Sequence, residues 1–440
     1  MKHLRYLDLS WNCKIRRLLD WIVELSNLKT LDLTRCVRLV KLPRDIKKMI
    51  NLRHLMLDAY VRLTGTPRGI GELNGVRTLN RFVLSESICL GRGGGAGLGE
   101  LGSLKELRGH LEIDKLRDVV SESNVGTPLK EKQHLHSLKL WWKYGEDVKA
   151  VDEEDIIKSM EVLQPHSNLK QLRVEHYGGV RFASWFSSLI NIVNLRLYLC
   201  ERCQHLPPLD LLPSLKSLEL WNLGNLEYIL LSENESSNSM SDEMMRMSFF
   251  PSLEELRILG CPVLKGQWRA HTHNSASSSS STENMSFPSF LSLSQLIIRG
   301  CPNLTSMPLY PNVDGIELVR SSWKVVDSLF VRGASDITHD VGVDVSASSS
   351  PPLSKLTSLT LWGIEDLAFL PEEISNLTSL HELIITQCYN LASLPEGIRG
   401  LPCLNTLKIN WCHMLSEKCK KETGEDLRNI AHISHITIRD

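Results

Sequence analysis

The chain has 440 residues, 50 Lys/Arg against 51 Asp/Glu, and a hydrophobic fraction of 42%. That apolar fraction suffices for a buried core and excludes wholesale disorder, and a net charge of −1 excludes a protein that coats nucleic acid or anionic membrane along its whole length. No apolar run approaches the ~18 residues of a membrane span, charge interrupts MKHLRYLDLSWNCKIRRLLD too often for a secretory signal, and eleven unclustered cysteines suit a reducing compartment; the expected location is the cytoplasm or nucleus.

Taken in chain order, the sequence is a repeat. Leu4, Leu7, Leu9 and Asn12 form L-x-x-L-x-L-x-x-N, and Leu28, Leu31, Leu33 and Cys36 repeat it. Leu52, Leu55 and Leu57 follow at the same spacing, so residues 1–84 read as regular N-terminal repeats. Residues 85–100 contain GRGGGAGLG and read as a Gly-rich loop. Looser repeats fill 101–231, with units at Leu135/Leu138/Leu140, Leu169/Leu172/Val174, Ile192/Leu195/Leu197/Cys200 and Leu215/Leu218/Leu220. Within that stretch, DEEDIIKSMEVL at 152–163 opens with acids and places Ile156, Ile157, Met160 and Leu163 at helical spacing, which predicts one helix. Polar and Ser-rich segments at 232–247, 270–286 and 321–352 read as exposed loops. Between them lie units at Leu253/Leu256/Ile258/Cys261, Leu293/Leu296/Ile298/Cys301 and Val313/Ile316/Leu318. Regular repeats return over 353–415, where Leu356/Leu359/Leu361 is followed by Leu380/Leu383/Ile385/Cys388 and Leu404/Leu407/Ile409/Cys412, and 416–440 reads as a C-terminal cap. The whole is roughly 14 or 15 units.

In L-x-L the two apolar side chains point to one face of a short strand. One unit cannot bury that face alone; stacked units join their leucines into one core beneath a parallel sheet. The Asn or Cys three positions after the second leucine sits where the chain turns away from the strand. Leu42-Pro43, Leu370-Pro371 and Leu394-Pro395 then predict a return side that is irregular or only briefly helical. The fold class is therefore α/β, a leucine-rich-repeat solenoid, or horseshoe, with a parallel concave β-sheet.

Several blocks resemble a known family. MKHLRYLDLS, INLRHLMLD at 50–58, LRGHLEIDKLRDV at 107–119, LKEKQHLHSLKLWW at 129–142, CERCQHLPPLDLLPSLKSLEL at 200–220, FFPSLEELRILGCPVLKG at 249–266 and the tail CKKETGEDLRNIAHISHITI are similar to the repeat region of plant coiled-coil nucleotide-binding leucine-rich-repeat (NB-LRR) disease-resistance proteins. In the tail, Leu427 stands where that family usually has Trp. The resemblance implies an intracellular immune receptor that senses a pathogen effector directly or through a guarded host protein. It implies that the repeats restrain a nucleotide-binding switch domain. The family's coiled-coil and nucleotide-binding domains are expected to be absent from this chain, since no G-x-x-x-x-G-K-[ST] occurs. ADP or ATP is accordingly expected only in that missing domain, and no cofactor in this one. Two other readings belong to different classes: a fragment of an extracellular leucine-rich-repeat ectodomain, hinted at by Leu63-Thr64-Gly65-Thr66-Pro67, and a substrate adaptor of a ubiquitin ligase.

No catalytic or metal residue is assigned, and the chain is not expected to be an enzyme. Cys200-x-x-Cys203 lacks a second pair at zinc spacing, GRGGGA at 91–96 lacks the strand and helix of a dinucleotide site, and His271 and His273 lie beside a serine run. Four N-x-[ST] sequons, at Asn234, Asn284, Asn303 and Asn376, are expected to be unmodified. The candidate site is a surface. Trp141, Tyr198, Trp221 and Trp362 follow the second strand leucine, with Trp142 and Trp411 one step further on; together with Arg196, Glu219, Arg299 and Lys408 they are the expected protein-binding residues of the concave face. Charge is uneven: residues 1–120 carry 22 Lys/Arg and 13 Asp/Glu, the remainder 28 and 38. The basic end, through Arg5, Arg35, Arg38 and Arg53, is expected to contact the switch domain, and the acidic remainder to meet the effector or guarded protein.

Overall fold

A computed structural model describes residues 3–58, 60–85, 96–117, 126–143, 152–229, 250–266, 290–308, 310–327, 330, 353–419 and 426–439. The chain divides into two compact units, Met1–Cys203 and Gln204–Asp440. In the first, β1 (Tyr6–Asp8), β2 (Thr30–Asp32), β3 (His54–Met56) and β4 (Thr78–Leu79) form a four-stranded parallel sheet in chain order. After a break at Asn80 come β5 (Arg81–Val83), β6 (Arg108–Leu116), β7 (His134–Trp142), β8 (Gln171–Glu175) and β9 (Asn194–Tyr198), each parallel to the next. The second unit repeats the plan with β10 (Ser217–Trp221), β11 (Glu255–Leu259), β12 (Gln295–Arg299), β13 (Gly315–Val319), β14 (Ser358–Trp362), β15 (Glu382–Thr386), β16 (Thr406–Asn410) and β17 (His435–Arg439). This is the predicted leucine-rich-repeat solenoid fold.

Register follows the leucines. Leu7 aligns with Leu31, Leu55 and Leu79, and Leu359 with Leu383 and Leu407. Apart from Leu7, at the chain's first strand, these side chains are buried, as are the second leucines Leu33, Leu57, Leu361, Ile385 and Ile409. A one-residue slip would turn the whole set outward, so the apolar alternation fixes the pairing.

One backbone feature recurs after the strands. The residue two positions past the second leucine has positive φ: Trp11, Arg35, His176, Leu199, Asn222, Arg320, Gln387 and Trp411 lie between 46° and 62°, and Gly260, Gly300 and Gly363 between 62° and 65°. For a residue with a Cβ this costs about 1–2 kcal/mol. The turn it makes is what keeps the ladder going. Trp11 N–H donates to Thr34 O, Arg320 N–H to Trp362 O, Gln387 N–H to Asn410 O and Trp411 N–H to Arg439 O, all at 2.7–2.9 Å. Except at Asn12, which is exposed, the following residue drops into the core. At Cys36, Cys388 and Cys412 the thiol donates to the carbonyl of the preceding unit's second leucine or its equivalent: Leu9, Leu361 and Ile385, at 3.0, 3.8 and 3.8 Å. Buried thiols of this kind behave as small apolar residues with one weak donor. Burial pushes the Cys200 thiol up to about 12 and Cys388 up to about 11.

The return side is short 3-10 turns, as Pro in this half predicts. Pro371 and Pro395 open the turns Glu372–Asn376 and Glu396–Gly400 with φ near −70°, and Ile374 and Ile398 point into the core. Glu372 caps the next turn by accepting from Gly397 N–H at 2.7 Å. A Cβ on Gly397 would stand 2.3 Å from Glu372 O, so the close approach requires glycine there. The predicted helix is α2 (Glu153–Glu161), N-capped by Asp152, with Ile156 and Met160 buried.

Four expectations need correction. The Gly-rich loop drawn over 85–100 ends in a helix, α1 (Leu98–Ser103), because Leu98 and Leu101 are recruited to the core. The loop drawn over 321–352 begins inside the repeat: Arg320 takes the left-handed turn, Ser321 fills the Cys/Asn slot, and Ser322, Trp323, Val325 and Val326 are buried. Asp366 holds that segment through Ser322 Oγ and Trp323 N–H. The segment drawn as a cap over 416–440 carries a further parallel strand, β17, after helices α3 (His413–Cys419) and α4 (Leu427–Ile430). Trp142, expected on the binding face, is core: it continues the inward alternation of Leu138 and Leu140 and packs edge-on against Tyr177 at 5.1 Å. The loops at 232–247 and 270–286, with His271, His273, Asn234 and Asn284, lie outside the described residues, as does GRGGGA except for Ala96.

Two outcomes follow from this packing. Trp142→Ala lowers stability by about 3–5 kcal/mol, whereas Trp362→Ala, at a site 42% exposed, costs about 1 kcal/mol or less; urea unfolding of the two variants measures the contrast. Iodoacetamide at neutral pH labels the exposed Cys13 and Cys403 and spares Cys200 and Cys388 until the chain unfolds, which mass spectrometry reads directly. Because the folded thiols ionise above the unfolded value of about 8.5, their contribution to stability is complete below that pH. It is lost as pH rises toward about 12 at Cys200.

Candidate functional site

Strand residues that alternate away from the leucines form rows across each sheet, with neighbouring strands about 4.8 Å apart. In the second unit Trp221, Arg299 and Trp362 share one row, separated by Leu259 and Val319. Glu219 and Lys408 stand in the adjacent row, with Arg257, Ile297, Glu317, Thr360 and Ile384 between them. Trp411 lies outside both rows, in the left-handed turn position. Charges here are paired on the sheet itself: Arg299 with Glu317 and Lys408 with Glu382, both at 2.7 Å, and Arg257 with Glu255. The outward face therefore presents charges that are already paired, beside Trp221 and Trp362, each 42% exposed. Trp362 is oriented by donating Nε1–H to Gln387 Oε1 at 2.8 Å. Glu219, expected to be exposed, is buried.

In the first unit the equivalent rows are Trp141–Glu175–Tyr198 and Lys139–Arg173–Arg196. Three cations in register would repel, and carboxylates between them relieve it. Lys139 lies 3.1 Å from Glu112 and 3.4 Å from Glu175, and Arg173 pairs with Glu175. The Arg173 guanidinium also lies 4.2 Å over the Tyr198 ring. That contact corrects the reading of Tyr198 as a binding residue: its face is taken and it is 8% exposed. Arg196 is exposed and Trp141 half-buried, its ring edge-on to His176 at 5.9 Å.

A second feature runs along the start of the N-terminal strands. Arg5, Lys29, Arg53 and Arg77 occupy one repeat position, and their backbones are bonded in sequence: Lys29 N–H to Arg5 O, Arg53 N–H to Lys29 O and Arg77 N–H to Arg53 O, at 2.7–2.8 Å. None of the four side chains meets a carboxylate among the described residues. Acids of the same repeats sit at the far end of the strands, where Asp8, Asp32 and Asp58 accept the turn N–H groups of Ser10, Thr34 and Tyr60. The Arg53 guanidinium lies over Gly75, where a Cβ would stand 1.4 Å from Nη1. Of the four predicted switch contacts, Arg5 and Arg53 are thus together. Arg35 is not with them: it is held at 3.4 Å by Asp58 and lies 4.0 Å over the Tyr60 ring and 5.3 Å over Trp11. Arg38 is exposed past the turn. Lys29 and Arg77 were missed, although their even spacing with Arg5 and Arg53 was visible in the sequence.

Cys200 and Cys203 are both fully buried in the turn, with Cys203 N–H donating to Cys200 O. Among the described residues there is no group of three His, Cys, Asp or Glu placed to hold a metal, and no helix long and apolar enough to cross a membrane. Asn303 Nδ2 donates to Pro262 O, and Asn376 closes a 3-10 turn.

Residues 98–223 match the profile of the R13L1/DRL21 leucine-rich repeats. The chain is 35% identical over 201 residues to disease resistance protein RGA2 of Solanum bulbocastanum, covering 44% of this chain and 19% of that protein. It is 38% identical over 298 residues to At3g14460, an Arabidopsis thaliana chain named for disease resistance, covering 60% of this chain and 20% of that one. The chain thus spans about a fifth of the length of the curated relatives it matches. Among solved structures it is similar to an internalin of Listeria monocytogenes, at 15% identity and a TM-score of 0.41 over 92% of this chain and 86% of that one. The repeat register, the R13L1/DRL21 match and the relatives agree with the resemblance carried by the sequence blocks: over its repeats the chain is similar to plant disease-resistance proteins.

Proposed function

We propose that the chain is the recognition region of an intracellular plant immune receptor, working by protein contact and not by catalysis. The outward sheet faces meet a pathogen effector or a guarded host protein, and the N-terminal repeats hold a nucleotide-binding switch domain at rest. The nucleotide, ADP or ATP, belongs to that domain. The observation that carries the reading is the column Arg5, Lys29, Arg53 and Arg77. Like charges on adjacent strands destabilise a sheet, and here no acid within the described residues offsets them. Such a column is an interaction surface for an acidic partner. The reading that this partner is a domain of the same receptor is supported by relatives named for disease resistance, of whose length the chain spans about a fifth.

Arg5→Glu combined with Arg53→Glu weakens association with the separately expressed nucleotide-binding domain of the intact receptor by about tenfold, and 0.5 M salt erases the difference. Arg38→Glu leaves association unchanged. A pull-down titration across salt concentrations measures both, and equal binding by all three proteins rejects the switch-contact reading.

A further inference from the structure

At the break between β4 and β5 the first unit carries a recess of about 410 Å³ on its outward face, lined by Val61, Arg62, Leu63, Arg81, Glu112, Asp114, Lys115, Lys139 and Trp141. We infer that this recess binds a carboxylate side chain, flanked by an apolar residue, on a partner protein. The inference rests on the reading of the outward face as a partner surface.

The recess lies where the strand is interrupted at Asn80, between β4 and β5. Long cations satisfy backbone carbonyls of the segment after β3. Arg81 Nη1 donates to Asp58 O at 3.0 Å and to Val61 O at 2.6 Å, and its Nη2 pairs with Asp114. Lys115, itself in a left-handed turn at φ 60°, donates Nζ–H to Leu63 O at 3.2 Å and Thr64 O at 3.3 Å. On the floor, Lys139 is matched by Glu112 at 3.1 Å. The pairs Arg81–Asp114 and Lys139–Glu112 cancel, and both carboxylates of the lining are consumed by them. Two cations remain: the Lys115 ammonium, which meets only carbonyl oxygens, and Arg62, which is exposed and has no hydrogen bond or ion pair among the described residues.

Two unmatched cations in the lining of the recess select an anion, and a charge-assisted bond to a carboxylate is roughly twice as strong as a neutral one. The half-buried Trp141 ring lines the recess, so the group beside the carboxylate is apolar. A recess of this size on a protein-facing sheet holds one anchor residue of a partner, the geometry in which hot spots concentrate.

Purified chain titrated with the peptides Ac-Gly-Phe-Glu-Gly-NH2 and Ac-Gly-Phe-Gln-Gly-NH2, read by saturation-transfer NMR, tests the assignment. The glutamate peptide binds at least about tenfold more tightly than the glutamine peptide, and Arg62→Glu removes that preference. Arg62 is the chosen position because its side chain has no bond to lose; Lys115→Gln, which also releases the Leu63 and Thr64 carbonyls, is the supporting variant. Trp141→Ala weakens both peptides. Equal affinity for the two peptides, no binding of either at millimolar concentration, or a preference untouched by Arg62→Glu overturns the proposal. Binding of glutarate or inorganic phosphate as tightly as the glutamate peptide also overturns it, in favour of a free small anion. Arg5→Glu with Arg53→Glu leaves the peptide preference intact, so failure of the recess and failure of the switch-contact reading are separable.

Discussion

The structure depends on how each strand ends. A parallel strand of three to five residues leaves backbone donors and acceptors unpaired on both edges, and buried unpaired groups cost roughly 1–3 kcal/mol each. The left-handed residue after the second leucine hands its N–H to the next strand and drops the following side chain into the core. Arg320, Gln387 and Trp411 accept an unfavourable φ for this, and Gly260, Gly300 and Gly363 adopt it without a Cβ penalty. The thiols of Cys36, Cys388 and Cys412 then close the carbonyl left by the unit before. A bond from each unit to its neighbour at this point stabilises every repeat only in the presence of the next, which is why the leucines stack instead of exposing their face.

That constraint turns sequence position into surface position. Residues at equal offset from the leucines fall into rows at strand spacing, so a preference at one offset becomes a stripe of one chemistry. At the offset before the N-terminal strands the preference is cationic, and toward their far ends Asp8, Asp32 and Asp58 are absorbed as turn caps of Ser10, Thr34 and Tyr60. Segregation, and not a surplus of basic residues alone, leaves Arg5, Lys29, Arg53 and Arg77 uncompensated. In the second unit the same logic runs the other way. Glu255, Glu317 and Glu382 stand within reach of Arg257, Arg299 and Lys408, and the rows neutralise themselves.

Much of this was legible in the sequence. L-x-L at fixed spacing gave register, buried face and the slot of Cys36, Cys200, Cys261, Cys301, Cys388 and Cys412, because those depend on local alternation and stacking alone. Pro371 and Pro395 gave the short return turns. Trp142 failed because an aromatic at a strand end reads the same whether its side chain points in or out; only continuation of the inward alternation to a third residue decides it. Tyr198 failed because its ring is covered by Arg173 from the neighbouring strand, a contact between residues far apart in the chain. The recess was illegible for a related reason. It arises where the repeat is interrupted at Asn80, and an interruption carries no pattern of its own.

The self-paired rows and the uncompensated cations imply different physics of recognition. Where Arg299 and Lys408 already hold carboxylates, a partner gains little by offering new charge, and exposed pairs of this kind contribute only about 0–1 kcal/mol. Under the proposed function, affinity at that face comes chiefly from contact at Trp221, Trp362 and the neighbouring Ile297, Val319 and Ile384, and depends less on salt. The Arg5 column works in reverse: it offers no apolar anchor, attracts over about a Debye length of ~8 Å at physiological salt, and releases as ionic strength or partner charge changes. Under the proposed function, the reversible resting contact uses the second kind of surface and the contact with a foreign protein uses the first. The chain carries both, each set by which residues its repeats place at a single offset from the leucines.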